Sequence, residues 1–357
     1  MARVRERMGA LGVDAVLLSL GADLPWLTGY EAMPLERLTM LVLPVDGEAT
    51  LVVPRLEAPR VDHRGDLFAM RPWDETEDPV DVVAGLVGTR SRLAVSDRAW
   101  ATFVLQLQAT LPGASWQAAS IVTGPLRAVK DAEEIAALRR AGAAAATRSA
   151  ALVGGDVPLV GRTEAEVAAD LHARLRAEGH ARVNFVIVGS GPNSASPHHE
   201  PGHRRIGQGE AVVCDFGGTL DGYCSDTTRT VFTGPPPAEF RDLHAAVQRA
   251  QAAAVEAAVV GTPCEDVDGV ARRVIEEAGY GPQFVHRTGH GIGLEEHEDP
   301  YLVGGNCEAL AAGHAFSVEP GVYVEGRWGA RIEDIVVATD AGPEPLNTVS
   351  HDLAVVA

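Results

Sequence analysis

Cysteine and lysine are scarce in this sequence, and their scarcity excludes several kinds of site. The 357 residues include four cysteines, with no Cys-x-x-Cys pair and no histidine at zinc-finger spacing. This pattern excludes a zinc finger, and the length of the chain argues against a disulfide scaffold. Lys130 is the only lysine, and no glycine-rich Gly-Lys-Ser/Thr motif surrounds it, which excludes a P-loop and lysine chemistry. We therefore expect reduced, mostly buried thiols in a cytoplasmic protein.

Long apolar runs and an excess of basic charge are also missing. Runs such as residues 15–20 and 40–43 are too short to cross a bilayer. The first residues mix arginines with Glu6 and Asp14 and contain no clean apolar stretch, so we expect no signal peptide. Lys and Arg number 30 against 49 Asp and Glu, a net charge of −19, whereas nucleic-acid binding needs a basic surface. We therefore expect neither a membrane nor a nucleic acid as a partner.

The chain does contain enough apolar material for two folded domains. Hydrophobic residues make up 46% of the sequence, and its length of 357 residues is typical of about two domains. Residues 1–124 alternate short apolar runs with helical segments, which predicts an α/β domain, and no group of chemically active residues stands out in it. Residues 125–357 form a second domain, in which helices alternate with β-like runs.

The second domain carries an internal echo. Glycine and valine residues in the segment 161–179 recur at a constant offset in the segment 261–279. Thr163 and Glu166 form a capping box in the first copy, and Thr262, Pro263 and Glu265 are predicted to cap the corresponding helix in the second. Each copy then supplies one histidine and two carboxylates. We interpret the echo as a duplication, whose halves would bring four carboxylates to one pseudo-twofold axis.

Four acids stand in or beside apolar β-like runs. Asp215 interrupts such a run and Asp226 precedes another at residues 230–232, while Glu319 and Glu333 belong to the second copy. Burying an isolated carboxylate costs several kcal/mol unless it is paired or binds a metal. A single acid of this kind is explained most simply by a solvated face or an arginine partner, but four at corresponding positions favour a metal site. His290 adds an imidazole, and its flanking glycines let the backbone direct that ring inward.

Such a donor set predicts a pair of divalent ions. Four negative charges need compensating cations, and bridging carboxylates hold two ions about 3.5–4 Å apart with a water or hydroxide between them as the nucleophile. Oxygen ligands with one imidazole favour Mn²⁺ and fit a thiolate-type zinc site poorly. Co²⁺ and Zn²⁺ remain open as alternatives.

These residues and their surroundings resemble the M24 metallopeptidases, whose catalytic domain has the pita-bread fold. The matching strings are Asp215-Phe-Gly-Gly, Gly-Tyr-Cys-Ser-Asp226-Thr-Thr-Arg-Thr, Gly-His290-Gly-Ile-Gly-Leu-Glu-Glu-His-Glu, Val-Glu319-Pro-Gly-Val-Tyr and Arg-Ile-Glu333-Asp. The similarity covers about residue 125 to the end, and residues 22–30 resemble the N-terminal domain of prolidases and aminopeptidase P. The resemblance implies an α+β chain in which a pseudo-twofold pita-bread domain, residues 125–357, follows a smaller α/β domain, residues 1–124.

The resemblance also implies metal-dependent hydrolysis of the bond between an N-terminal residue and proline, as in Xaa-Pro dipeptidases and aminopeptidase P. The implied metal ligands are Asp215, Asp226, His290, Glu319 and Glu333. Asp226 and Glu333 would bridge both ions, Asp215 would bind one, and His290 with Glu319 would bind the other. Glu319 would also accept the proton of the attacking water. The implied partners are a small peptide with proline at its second position and a second copy of the chain in a homodimer.

Three further residues acquire roles from the resemblance. His198 and His297 match family histidines near the scissile bond, where imidazoles can donate to the developing oxyanion and to the leaving imino nitrogen. Arg331 would orient the carboxylates or contact the substrate. We expect His199 and His203 to be bystanders.

One position departs from the family pattern and leaves the substrate length open. Some prolidases have an arginine four residues after the histidine at His297, where it helps to hold the free carboxylate of the dipeptide, and this chain has Tyr301 there. Activity on longer peptides therefore remains an alternative. Two other classes are alternatives: a metal-free creatinase-like amidinohydrolase and a catalytically inactive binding module on the same fold. The complete ligand set argues against both, and we expect Cys224, close to one ligand, to serve packing.

Overall fold

A computed structural model of the protein describes residues 1–356. The chain divides into two compact units, Met1–Arg127 and Ala128–Ala357. Within residues 1–356, no helix combines the length and the apolar character needed to cross a membrane.

The first unit is built on a mixed sheet with helices around it. Its strands are β1 Ala15–Leu18, β2 Met40–Pro44, β3 Thr50–Pro54, β4 Ala69–Trp73, β5 Arg92–Val95 and β6 Ser115–Ala118, in the order β4-β3-β2-β1-β5-β6. Its helices are α1 Ala2–Leu11, α2 Asp23–Thr28, α3 Pro79–Val87, α4 Ala101–Thr110 and α5 Ser120–Ala128, with a 3-10 turn at Ala58–Arg60. Along β1, Val16 and Leu18 enter one apolar cluster while Ala15 and Leu17 enter another. Because side chains alternate between the faces of a strand, this central strand is buried on both faces, as in an α/β domain.

The second unit contains two larger sheets and a two-stranded ribbon. Its strands are β7 Arg182–Ser190, β8 Ala211–Leu220, β9 Tyr223–Thr233, β10 Gly289–Gly291, β11 Glu298–Leu302, β12 Ala315–Val318, β13 Gly321–Val324, β14 Trp328–Arg331, β15 Asp334–Thr339, β16 Gly342–Pro345 and β17 Ala354–Val356. Its helices are α6 Ala132–Val153, α7 Glu164–Ala177, α8 Ala238–Ala257 and α9 Cys264–Glu277, with 3-10 turns at Gly191–Ala195 and Gly281–Gln283. The sheet orders are β17-β9-β8-β7, β11-β10-β12-β15-β16 and β13-β14.

Helices and sheets of the second unit are packed as two successive halves. One apolar core joins α6 and α7 to strands β7, β8 and β9. A second core joins α8 and α9 mainly to strands β12 and β15. Each half therefore consists of two helices against a sheet, in the order that the internal echo predicts.

A matching pair of hydrogen-bonded clamps strengthens the correspondence between the halves. In the first half, Glu164 of α7 accepts hydrogen bonds from the backbone N–H and the hydroxyl of Ser190, at 2.9 and 2.7 Å. In the second half, Asp268 of α9 accepts the same two bonds from Thr288, at 3.0 and 2.8 Å. Both carboxylates are buried. Each clamp ties a helix to the segment that leads toward a group of functional side chains.

The predicted cap of α9 is wrong, although the capping box predicted for α7 is present. Helix α9 begins at Cys264 with Pro263 as its N-cap, and no side chain caps it. Its first N–H groups bond instead to backbone carbonyls, that of Cys264 to Glu308 and that of the next residue to Asn306, both at 2.9 Å. Because these carbonyls already satisfy the helix end, the side chain of Thr262 is not needed there.

Strand β9 is longer than the apolar run 230–232 indicated, so Asp226 lies inside the strand rather than before it. The cause is a tight hairpin, in which β8 and β9 pair from Leu220 and Tyr223 onward. The two turn residues, Asp221 and Gly222, both have positive φ, 51° and 84°. An Asp-Gly pair in this conformation makes the two-residue turn that matches strand twist.

Candidate metal centre

Asp215 and Asp226 face the same side of the β8–β9 hairpin. In the ladder Asp215 pairs with Thr228, and Asp226 pairs with Gly217. Residues 226 and 228 are two apart along β9 and so share one face, together with their partners across the ladder. The hairpin therefore presents both carboxylates to the same space.

Strands of the second half bring the other predicted ligands to this space. His290 lies in β10, Glu319 directly follows β12, and Glu333 lies between β14 and β15. An isolated antiparallel bridge joins Thr228 to Glu333, and the Thr228 hydroxyl donates to Glu333 Oε2 at 2.7 Å. This bridge links the hairpin of the first half to the strands of the second.

Distances between the side chains show how closely they gather. Ligand atoms of Asp226, His290 and Glu333 all lie within 4.8 Å of one another. His290 Nε2 is 3.2 Å from Glu319 Oε1 and 4.0 Å from Asp226 Oδ2. These side chains have little exposure to solvent, at most 16% for that of Glu319. The structure thus places four of the predicted ligands in one buried cluster.

Arg331 connects the fifth predicted ligand, Asp215, to this cluster. Its Nη2 donates to Asp215 Oδ2 at 2.5 Å, and its Nε donates to the Thr228 hydroxyl at 3.1 Å. Its Nη1 donates to the Tyr323 hydroxyl at 2.8 Å and to the carbonyl of Pro197 at 3.2 Å. The guanidinium is buried and its donors are engaged by the protein, which favours the orienting role over substrate contact.

The carboxylates of the cluster are electrostatically mismatched to their surroundings. Burial raises the pKa of Asp226 and of Glu333 well above the usual range, and neighbouring carboxylates raise both further. Burial also raises the pKa of Asp215, although the Arg331 guanidinium opposes this. Burial favours the neutral form of Glu319 as well, but the hydrogen bond and charge of His290 lower the pKa of Glu319 to about 2. The protein alone therefore supplies too little positive charge to hold all four carboxylates ionised.

Two carboxylate oxygens show directly that the cluster fits a cation. Within residues 1–356, Asp215 Oδ1 and Asp226 Oδ1 are buried and have no hydrogen-bond partner. A buried oxygen of a charged group is costly when it is left unpaired. Carboxylate oxygens with one imidazole nitrogen are donors that divalent first-row ions accept. The donor set therefore suits divalent metal ions.

Two glycines are required for the strand that carries His290. A Cβ added at Gly289 would lie 1.8 Å from the carbonyl oxygen of Ser317, and one at Gly291 would lie 2.2 Å from that of Asp299. Both oxygens belong to backbone that packs tightly against β10. Any side chain at either position would therefore displace the strand and with it the His290 imidazole.

The two histidines predicted near the scissile bond lie at the edge of the cluster. The His297 ring is 4.1 Å from the His290 ring between centroids, and His297 is exposed. Burial of part of its ring and the nearby charges of His290 and Arg287 lower the pKa of His297 to about 4. His198 is also exposed, and its charge contributes to lowering the pKa of His297. The His297 ring therefore lies against His290, and His198 is near enough to act on it through its charge.

Sequence reasoning missed His286 and Tyr323. His286 Nε2 lies 2.9 Å from the Tyr323 hydroxyl, which also accepts the bond from Arg331. Burial raises the pKa of Tyr323 to about 12, so its hydroxyl stays protonated. The signal was available, because Tyr323 lies four residues after Glu319 in a matching string and His286 lies four before His290.

His199 and Cys224 occupy different surroundings from the site itself. His199 was expected to be a bystander, but its Nε2 bonds to the buried carboxylate of Glu164 at 2.8 Å and so fixes the loop that carries His198. Cys224 is buried, and its thiol lies 3.7 Å from the carbonyl of Leu294. These contacts are those of a packed thiol.

The repeated halves and the buried donor set are typical of a metal-dependent enzyme. Comparison with known families makes the class specific, because the model of metallopeptidase family M24 matches residues 129–340. The model of the creatinase/prolidase N-terminal domain matches residues 1–129. The chain therefore belongs to the M24 metallopeptidases and is an enzyme, and the predicted α+β pita-bread fold is confirmed.

Individual relatives are similar over nearly their whole length. A probable dipeptidase PepE of Mycobacterium tuberculosis is 46% identical over 350 residues, which cover 97% of this chain and 92% of that protein. An Xaa-Pro dipeptidase of Lactobacillus helveticus is 35% identical, with 96% and 95% covered. The crystal structure of dipeptidase PepE from Mycobacterium ulcerans aligns with a TM-score of 0.93 at 44% identity, over 99% of this chain and 96% of that one.

Proposed function

We propose that this enzyme hydrolyses the peptide bond between an N-terminal residue and proline in short peptides, with two divalent metal ions. The observation that carries the proposal is the buried cluster of carboxylates and one imidazole, in which Asp215 Oδ1 and Asp226 Oδ1 have no partner within residues 1–356. The relatives named as dipeptidases and Xaa-Pro dipeptidase support the choice of substrate.

The ligand roles follow the family pattern. Asp226 and Glu333 would contact both ions, Asp215 would hold one, and His290 with Glu319 would hold the other. Metal ions bound there would polarise the scissile carbonyl and lower the pKa of a water molecule. The oxygen-rich donor set favours Mn²⁺, with Co²⁺ and Zn²⁺ as alternatives. The same family pattern supports a homodimer and a cytoplasmic location.

Glu319 is the side chain best placed to accept a proton from the attacking water. Its carboxylate receives a hydrogen bond from the Ser317 hydroxyl at 3.0 Å and lies against His290. These contacts fix its orientation toward the place where a metal-bound water would lie.

His297 and His198 would assist the departure of the proline nitrogen. At neutral pH the low pKa of His297 leaves a neutral imidazole, which can donate one N–H bond. A donor at this edge of the cluster can stabilise charge on the carbonyl oxygen or donate a hydrogen bond to the leaving imino nitrogen. Both histidines are exposed and so accessible to a peptide.

The test compares peptides that differ only at the second residue. Protein loaded with Mn²⁺ is incubated with Ala-Pro, Ala-Pro-Gly and Ala-Ala, before and after removal of metal by a chelator. We expect cleavage before proline, little cleavage of Ala-Ala, loss of activity with the chelator and recovery when Mn²⁺ is returned. Activity that survives complete metal removal, or equal activity on Ala-Ala, would contradict the proposal.

A further inference from the structure

Arg287 lies beside the metal centre in a position that neither the ligand set nor the histidines explain. It precedes β10 by two residues, and its Cζ lies 4.4 Å from the centroid of the Tyr301 ring. Tyr301 pairs directly with His290 across the β10–β11 ladder. The guanidinium is therefore held over the strand neighbour of a proposed metal ligand.

Arg287 has no acidic partner, unlike the other cations around the centre. Arg331 is bonded to Asp215, and Lys130 is paired with Glu298 at 2.6 Å. Within residues 1–356, no carboxylate lies within ion-pair distance of the Arg287 guanidinium. In a chain of net charge −19, an arginine left without a carboxylate next to a catalytic centre is unusual enough to need an explanation.

The surroundings of Arg287 hold its charge in place without consuming its hydrogen-bond donors. A guanidinium stacked on an aromatic ring keeps its N–H groups directed outward along its edges. Arg287 is half-buried, and its charge contributes to the low pKa of His297. Its charge therefore acts on His297, whose ring lies against that of His290.

We infer that Arg287 binds the free α-carboxylate of an Xaa-Pro dipeptide and makes the enzyme a dipeptidase rather than an aminopeptidase. The inference rests on the proposed function. In Xaa-Pro the carboxylate is separated from the scissile bond only by the proline nitrogen and α-carbon, so it must lie beside the centre when the carbonyl is attacked. A guanidinium can hold a carboxylate through two parallel bonds. Arg287 would thus supply the cation that is missing at Tyr301.

The decisive comparison is between a dipeptide and its C-terminal amide, which differ only in the carboxylate. Arg287→Gln removes the charge at similar length, and Arg287→Lys retains it. For Arg287→Gln we expect kcat/KM on Ala-Pro to fall about 10- to 100-fold, while kcat/KM on Ala-Pro amide changes little. We expect Arg287→Lys to be intermediate, and the inhibition constant of free proline to rise in step with the loss on Ala-Pro.

Arg273→Ala is the matched control, because this exposed arginine of α9 has no place in the centre. Metal content and the melting temperature of each variant are measured alongside. Equal losses on the dipeptide and its amide, unchanged kinetics in Arg287→Gln, or a wild-type enzyme indifferent to amidation would each overturn the inference. Cleavage of Ala-Pro-Gly but not of Ala-Pro would overturn the inference alone, whereas a wild-type enzyme that cleaves none of Ala-Pro, its amide and Ala-Pro-Gly would refute the proposed function itself.

Discussion

At the scale of single residues, the candidate metal centre brings together carboxylates that repel one another. Asp226 and Glu333 are buried and lie close together, and the charge of Glu333 helps to raise the pKa of Asp226. Within residues 1–356, one oxygen of Asp226 has no partner at all. The sequence therefore keeps at this position a carboxylate that weakens the metal-free fold, and the benefit must come when cations are bound.

Replacing Asp226 by Asn should therefore have two effects of opposite sign. Loss of a carboxylate that we propose to contact both ions should lower kcat by more than about 100-fold, since even residues outside the ligand shell cost up to that much in metal enzymes. In the presence of a chelator, however, the variant should be more stable than the wild type by about 1 kcal/mol, because Asn needs neither a buried charge nor the uptake of a proton on folding. Kinetics and denaturant unfolding in the chelated state measure the two effects.

Glu344→Gln is the control for this experiment, because Glu344 forms an exposed pair with Arg139. Its removal should change the free energy of unfolding by less than about 1 kcal/mol and leave kcat unchanged. A chelated Asp226→Asn protein that is less stable than the wild type would show that the carboxylate is satisfied without metal.

At the scale of helices and strands, sequence patterns predicted the features that depend only on neighbouring residues in the chain. The capping box of α7 and the glycines around His290 could be recognised because each acts on its own neighbourhood. The end of α9 could not, because its N–H groups bond to a distant loop at Asn306 and Glu308. The length of β9 was missed although its Asp-Gly turn was visible. The bridge from Thr228 to Glu333 depends on the packing of two halves and has no local signal.

The paired clamps give a prediction at this scale. Ser190→Ala and Thr288→Val each remove one hydroxyl from a buried carboxylate, so each should lower the free energy of unfolding by about 1–3 kcal/mol. Because the two clamps belong to different halves, the double variant should show nearly the sum of the single effects. Denaturant unfolding of the single and double variants measures this.

Thr147→Val serves as the control, since its hydroxyl bonds only to a carbonyl of its own helix and is exposed. It should change the free energy of unfolding by less than about 0.5 kcal/mol. If Ser190→Ala and Thr288→Val behave like Thr147→Val, the clamps are not what holds these segments.

At the scale of the whole molecule, buried histidines make stability depend on pH. Burial lowers the pKa of His180, and lowers those of His244 and His314 to about 4 from an ordinary value of 6.5. Between pH 6.5 and 4 the unfolded chain therefore binds protons at these positions that the folded chain does not. The free energy of unfolding must fall as the pH falls through this range, and the stability they contribute is complete only above 6.5.

His244 offers a single-site test that is separate from the metal centre. It is buried in α8, and its Nε2 has no hydrogen-bond partner within residues 1–356. The charged groups that act on it are Asp352, His351 and Arg229.

His244→Phe keeps a ring of similar shape and cannot be protonated, so it should remove one proton from the difference between the folded and unfolded states. As the pH falls from 6.5 to 4, the wild type should lose up to about 3 kcal/mol relative to this variant. Urea unfolding with a chelator across this range measures the difference, with exposed His172→Phe as the control. Parallel pH profiles for the wild type and His244→Phe would mean that the buried imidazole takes up its proton without opening the fold.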